Sequence, residues 1–194
     1  MSELASYLPV AVVIVASLSL FWTDHWRGNI AALAMQYLAV FLFVNQSWST
    51  GLSLVKLIAG WMAAAVLSSS TGTGTRMPAF SHFLSARIFR LLAAILIIIL
   101  SFSIAPTAAE WLPLPPAALV CSLILIGTGL LQLGITTIPG RVIIGLLSVL
   151  SGFEVIYAAV VSSVLVAGLL ALVTLGIALT GAYWLNLTPS EEQQ

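Results

Sequence analysis

Residues 142–187 read VIIGLLSVLSGFEVIYAAVVSSVLVAGLLALVTLGIALTGAYWLNL, 46 positions without a proline or a basic residue and with Glu154 as the single charge. At 1.5 Å of rise per residue this run is about twice as long as the roughly 20 residues that cross a bilayer once. It therefore divides into two membrane helices, and the Val161-Ser162-Ser163 step near its middle is the place to divide it. The rest of the chain has the same character. Of 194 residues 61% are apolar or aromatic and 6% are charged, with a mean hydropathy of +1.16, whereas soluble domains carry roughly 45–50% and about 25%. An ordinary soluble domain is excluded, and the expected fold is an all-α polytopic membrane protein.

Working outward from that run, a span over 117–135 precedes it and stops at Thr136-Thr137-Ile138-Pro139-Gly140-Arg141. Residues 105–116, with Glu110, Trp111 and several prolines, are expected to be a rigid non-helical connection. Before them a span over 83–104 is entered through Arg87 and Arg90. The stretch 68–78, rich in Ser, Thr and Gly, reads as a flexible loop. It lacks the Gly-Lys-Ser/Thr that a phosphate-binding loop needs. Earlier spans are expected at 52–67 and 30–44, both short enough to require tilt or local thinning. A first span at 4–22 has Pro9 in its first turns, where a missing N–H is tolerated. Glu3 in place of a basic region argues for a retained helix, not a cleaved signal. Seven spans result, in four parts: an N-terminal region 1–104, the connection 105–116, a three-helix region 117–187 and a tail 188–194.

Twelve charges are few enough to read singly, because each is costly in hydrocarbon. With the N-terminus outside and the C-terminus inside, Arg27, Arg76, Arg87, Arg90 and Arg141 all fall at cytoplasmic ends, as the positive-inside rule requires. This predicts a multi-pass protein of the cell's inner, cytoplasmic membrane. Six Lys/Arg balance six Asp/Glu, so no basic field exists to hold nucleic acid. His25 and His82 stand far apart and Cys121 is alone in an apolar run. No ligand set for a metal or redox cofactor is visible, and none is expected.

Two charges are left over. Lys56 lies roughly 9 Å inside its span from the outer end, and Glu154 roughly 12 Å from that same end, so the two share a depth. Three readings remain open. Lys56 can snorkel to the interface; the two can form a structural ion pair; or they can form a proton path in which a moving partner switches the proton affinity of a carboxylate. On the last helix Ser163, Ala167, Ala171, Thr174, Ala178 and Ala182 recur at three- or four-residue intervals. That stripe of small residues allows a neighbouring helix to approach closely.

The string from Arg141 to Ala159, with Gly152-Phe153-Glu154-Val155-Ile156 at its centre, resembles the second helix of the NuoK/MrpC family, the small membrane subunits of complex I and its antiporter relatives. Leu175-Gly176-Ile177-Ala178-Leu179 resembles that family's third helix. With four helices in front, the chain is most similar to the longer HyfE-type subunits of group 4 hydrogenases, whose early lysine site Lys56-Leu57-Ile58 resembles. The resemblance implies a subunit without redox chemistry of its own, embedded in the lipid bilayer among other integral membrane subunits of antiporter-like, hydrogenase or complex I-like type. It implies Glu154 as a proton-relay carboxylate. Where NuoK carries a further glutamate on its third helix this chain has Leu172, and Lys56 is the group that can replace that charge. The alternatives are a structural anchoring subunit without a proton role and an independent small-solute or cation transporter.

Overall fold

The computed structural model describes residues 2–23, 25–70, 84–112, 114–161 and 163–187. Among these residues it is all-α, with seven helices: α1 Ser2–Trp22, α2 Trp26–Ser47, α3 Thr50–Ser70, α4 Leu84–Ala109, α5 Pro116–Ile135, α6 Pro139–Val160 and α7 Val164–Leu187. Six of them, α2 to α7, are long and apolar enough to cross a membrane, while α1 offers a shorter apolar stretch over Tyr7–Trp22. The outer surface agrees with this: Phe89, Leu92, Leu96 and Ile99 on α4, and Leu165, Leu169, Leu172 and Leu179 on α7, are all exposed. In water such faces would associate; in lipid they are solvated. The chain is a multi-pass membrane protein.

Helix starts follow from proline chemistry. Pro116 and Pro139 stand in the first turns of α5 and α6, where the absent N–H is one of the unsatisfied donors anyway. Helix ends close on themselves: the N–H groups of Trp48, Thr136 and Val161 donate to the carbonyls of Val44, Gln132 and Tyr157 at 2.8, 3.2 and 2.9 Å. In lipid this matters because orphan carbonyls find no water. The division of the long C-terminal run is where the polar step placed it, between Val160 and Val164.

Several expectations are corrected. The second and third helices are 22 and 21 residues long, long enough to cross without thinning; they take in flanking polar residues such as Asn45, Gln46, Thr50 and Ser68, which lie beyond the apolar runs. Helix α3 continues through Ser70, with the hydroxyls of Ser69 and Ser70 folded back onto the carbonyls of Val66 and Leu67 at 2.8 Å, and residues 71–83, with Arg76 and His82, lie outside the described residues. Helix α4 runs past Ile104 to Ala109 with Pro106 inside it. Proline there deletes one backbone bond near the helix end, and the chain turns onward through Glu110 N–H to Thr107 O and Trp111 N–H to Ala108 O at 3.3 and 3.1 Å. Pro9 sits in the interior of α1, not in its first turns, because that helix begins at Ser2. The tail 188–194 lies outside the described residues.

Side-chain ties fix which helix ends lie together. The Trp26 indole N–H donates to Leu67 O at 3.2 Å, and the Arg141 guanidinium donates to Leu20 O and Thr23 O at 3.5 and 3.3 Å. At the opposite end the Trp48 indole N–H donates to Val161 O at 3.2 Å. The helices therefore alternate in direction, with an Arg141 end and a Trp48 end. Arg141 places its charge on the carbonyl end of α1, where a cation complements the helix dipole. Each end has its own apolar cluster. Val13, Val40, Val44, Trp48, Leu119 and Ile124 belong to the Trp48 end; Leu20, Leu33, Leu67, Ile144 and Leu147 belong to the Arg141 end.

Candidate functional site

Lys56 on α3 and Glu154 on α6 meet between these two clusters. The Lys56 ammonium donates to Glu154 Oε1 at 2.5 Å, and the two side chains are 4% and 3% exposed. The structure thus brings together the two residues that charge placement singled out, and Lys56 does not snorkel to the interface. Both lie six positions from the Trp48 ends of their helices, or roughly 9 Å in, and Glu154 stands about 20 Å along α6 from Arg141. The pair is off-centre.

Two glycines set the geometry around it. A methyl group on Gly152 would meet the carbonyl oxygen of Ser122 at 2.8 Å and Ile126 N at 3.0 Å, so α6 lies backbone against backbone on α5 two positions before Glu154. Contact between α5 and α6 is the most extensive in the molecule. On α3, one turn past Lys56, a methyl group on Gly60 would collide with the Tyr37 ring. That ring, on α2, fills the space glycine leaves, and its hydroxyl lies among Ser151, Thr174 and Glu154. Thr174 of α7 places its hydroxyl 3.5 Å from Glu154 Oε1 and 2.9 Å from Leu170 O. Its one proton goes to the nearer carbonyl, and the carboxylate is the second acceptor within reach.

The expected stripe on α7 forms the wall behind the pair. Ala167, Ala171, Thr174, Ala178 and Ala182 are buried, joined by Leu170 and Gly181. Ser163 is corrected: it precedes the first turn of α7 and is half-buried. The neighbour that the stripe admits is chiefly α3, the helix of Lys56. Leu172, by contrast, is 68% exposed. A carboxylate at that position would face away from Glu154, so Lys56 does not occupy its place in space.

Reading by charge alone missed two things. Arg90 and Arg141, expected at helix mouths, are 3% and 2% exposed, so among the described residues four charged side chains are buried, not two. It also passed over the uncharged polar residues. Ser148 Oγ on α6 donates to Gln36 Oε1 on α2 at 3.0 Å, and Gln36 Nε2 donates to Ser17 Oγ on α1 at 3.1 Å; all three are buried. Toward the Trp48 end, Ser53 Oγ, one turn from Lys56, lies 2.9 Å from Asn45 Oδ1. The available signal was the spacing of Ser148, Ser151 and Glu154 at three-residue steps on one face of α6, with Gln36 and Tyr37 the polar atoms in the middle of α2.

Chemically the site holds an acid, a cation and hydroxyls buried between two apolar clusters. Such a set can hold, release and pass a proton; among the described residues no three metal-ligating side chains gather. A separate apolar groove of about 430 Å³ between α1 and α2, lined by Leu8, Val12, Val15, Ala31 and Met35, shares no residue with the pair. No protein-family model, no curated protein and no solved structure matches this chain.

Proposed function

We propose that this chain is a non-catalytic membrane subunit of an ion-translocating assembly, of complex I-like, group 4 hydrogenase-like or Mrp-type build, in which Glu154 carries protons and Lys56 is its charge partner. In this reading all seven helices span the cytoplasmic membrane, N-terminus out and C-terminus in. The observation that carries it is the wholly buried Lys56–Glu154 pair. An ionised side chain at this depth costs from about 2.5 kcal/mol upward on insertion scales, so a membrane helix retains one where ions move or where a partner holds it. The resemblance of the Gly152-to-Ile156 string supports the class of assembly, and Thr174 and Tyr37 supply the polar company a titrating carboxylate needs.

The test is proton translocation in energised membrane vesicles from the native host. Glu154→Gln keeps the shape and removes titration, and it is expected to abolish translocation while the assembly still migrates intact on a native gel. Unchanged translocation overturns the proton role. A second reading has one observation behind it: the pair ties α3 to α6 beside Thr174 of α7, which is what a structural clamp does. If the clamp is the whole role, Glu154→Gln and Lys56→Met alter assembly and leave coupling per intact complex unchanged. A chain that transports ions alone in liposomes contradicts both.

A further inference from the structure

The ionic pair sits about 9 Å from the Trp48 end and about 20 Å from the Arg141 end, so the two approaches to it are unequal. On the short side a single polar step, Ser53 with Asn45, leads outward from Lys56. On the long side Leu33, Leu67, Ile144 and Leu147 close much of the distance, and through their midst runs a row of hydroxyls and one amide, bonded from Ser148 through Gln36 to Ser17. We infer that this seam, Ser151, Ser148, Gln36 and Ser17, is the route by which Glu154 exchanges protons with the Arg141 end. The inference rests on the proton role proposed for Glu154.

Ser151 and Ser148 stand three and six positions from Glu154 along α6, at steps of about 4.5 Å along the axis, with the Ser151 hydroxyl donating to Leu147 O at 2.7 Å. From Ser148 the bonds cross laterally to Gln36 and Ser17 at 3.0 and 3.1 Å. Ser17 is one turn before Leu20, whose carbonyl takes a hydrogen bond from Arg141 at 3.5 Å. Burying three polar side chains from three different helices without an ionic or metal partner has a cost, because each must find its hydrogen bonds inside the protein. An apolar core of equal volume would hold the helices at least as well.

The roles differ by chemistry. A hydroxyl accepts a proton on one lone pair and releases its own to the next acceptor, so Ser151, Ser148 and Ser17 can each pass a proton, the steps from Ser151 to Ser148 and, past Gln36, from Ser148 to Ser17 each being closed by a bridging water. The Gln36 amide does not exchange its protons in this way. It is a positioning residue, orienting Ser148 from one side and Ser17 from the other. The charged and titratable groups facing the seam are Glu154, Lys56 and Tyr37 at the upper end and Arg141 at the lower.

Two measurements test the route. The first is thiol accessibility in native membranes, with Cys121, fully buried in α5, as the internal unreactive control. Ser148→Cys and Ser17→Cys are expected to react with a small water-soluble thiol reagent from the Arg141 face only, whereas Val155→Cys, equally buried but in the Trp48-end cluster, stays unreactive. Labelling of Ser148→Cys no faster than Val155→Cys, or from the Trp48 face, overturns the route. The second is translocation rate: Ser148→Ala is expected to slow it about tenfold, the cost of roughly one hydrogen-bonded step, with Ser148→Thr restoring it and assembly unchanged in both. Full rate in Ser148→Ala and Gln36→Leu beside an inactive Glu154→Gln overturns the route and leaves the proton role standing. A fully active Glu154→Gln overturns the proton role and the route together.

Discussion

At the scale of single residues the pair makes an asymmetric prediction. Removing one member of a buried ion pair leaves a desolvated charge, and that costs about 3–5 kcal/mol, whereas replacing both with apolar or neutral groups of similar volume is close to neutral. Lys56→Met is therefore expected to lower stability markedly, Glu154→Gln likewise, and the double variant to recover most of the loss, with a coupling of at least about 2 kcal/mol. Unfolding in mixed detergent, followed by helix signal, reads all four forms. Additive losses would mean that the two side chains do not share a charge. Lys56 and Glu154 were legible in the sequence because charge in a hydrophobic run is rare. Arg90 and Arg141 were not, since a basic residue near a helix end looks the same whether it faces headgroups or, as Arg141 does, caps the carbonyl end of a neighbouring helix.

At the scale of elements, helix number and the division at 160–164 were legible because apolar run length is a one-dimensional signal that the bilayer enforces. Boundaries were less so. Helices α2 and α3 extend several residues past their apolar runs, since Ser, Thr, Asn and Gly are compatible with a helix once its ends are tied by Trp26 and Trp48. Packing between elements was invisible: nothing local in sequence says that Gln36 bonds a serine 112 positions later. The glycines test that packing. Alanine is favoured over glycine in a helix by roughly 1 kcal/mol, so Gly176→Ala and Gly134→Ala, with open space beside them, should be neutral or stabilising. Gly152→Ala meets a backbone carbonyl that cannot yield and should cost about 1–3 kcal/mol by forcing α5 from α6. The same variant displaces Glu154, so a lowered melting midpoint should be accompanied by slowed translocation. A stable Gly152→Ala protein with unchanged helix contacts would show that the close approach is not required.

At the scale of the whole molecule, the alternation of helix ends turns orientation into a question about two faces. The ties of Trp26, Leu67, Leu20 and Arg141 collect on one face the helix ends that carry Arg27 and Arg141, and Trp48 with Val161 marks the other. A bundle inserted with the basic face inward obeys the positive-inside rule without exception among those residues, and the same orientation makes the proposed long seam open to the cytoplasm. Site-directed labelling decides it. Trp111, 84% exposed in the turn after α4, lies on the Trp48 face, and Thr137, exposed before α6, lies on the Arg141 face. Trp111→Cys is expected to react with an impermeant thiol reagent in intact cells, and Thr137→Cys only after the membrane is opened, with buried Cys121 silent in both. The reverse pattern would turn the bundle over. The seam would then open outward, Glu154 would exchange its protons with the outer face along the long arm, and the short step through Ser53 and Asn45 would become its cytoplasmic approach.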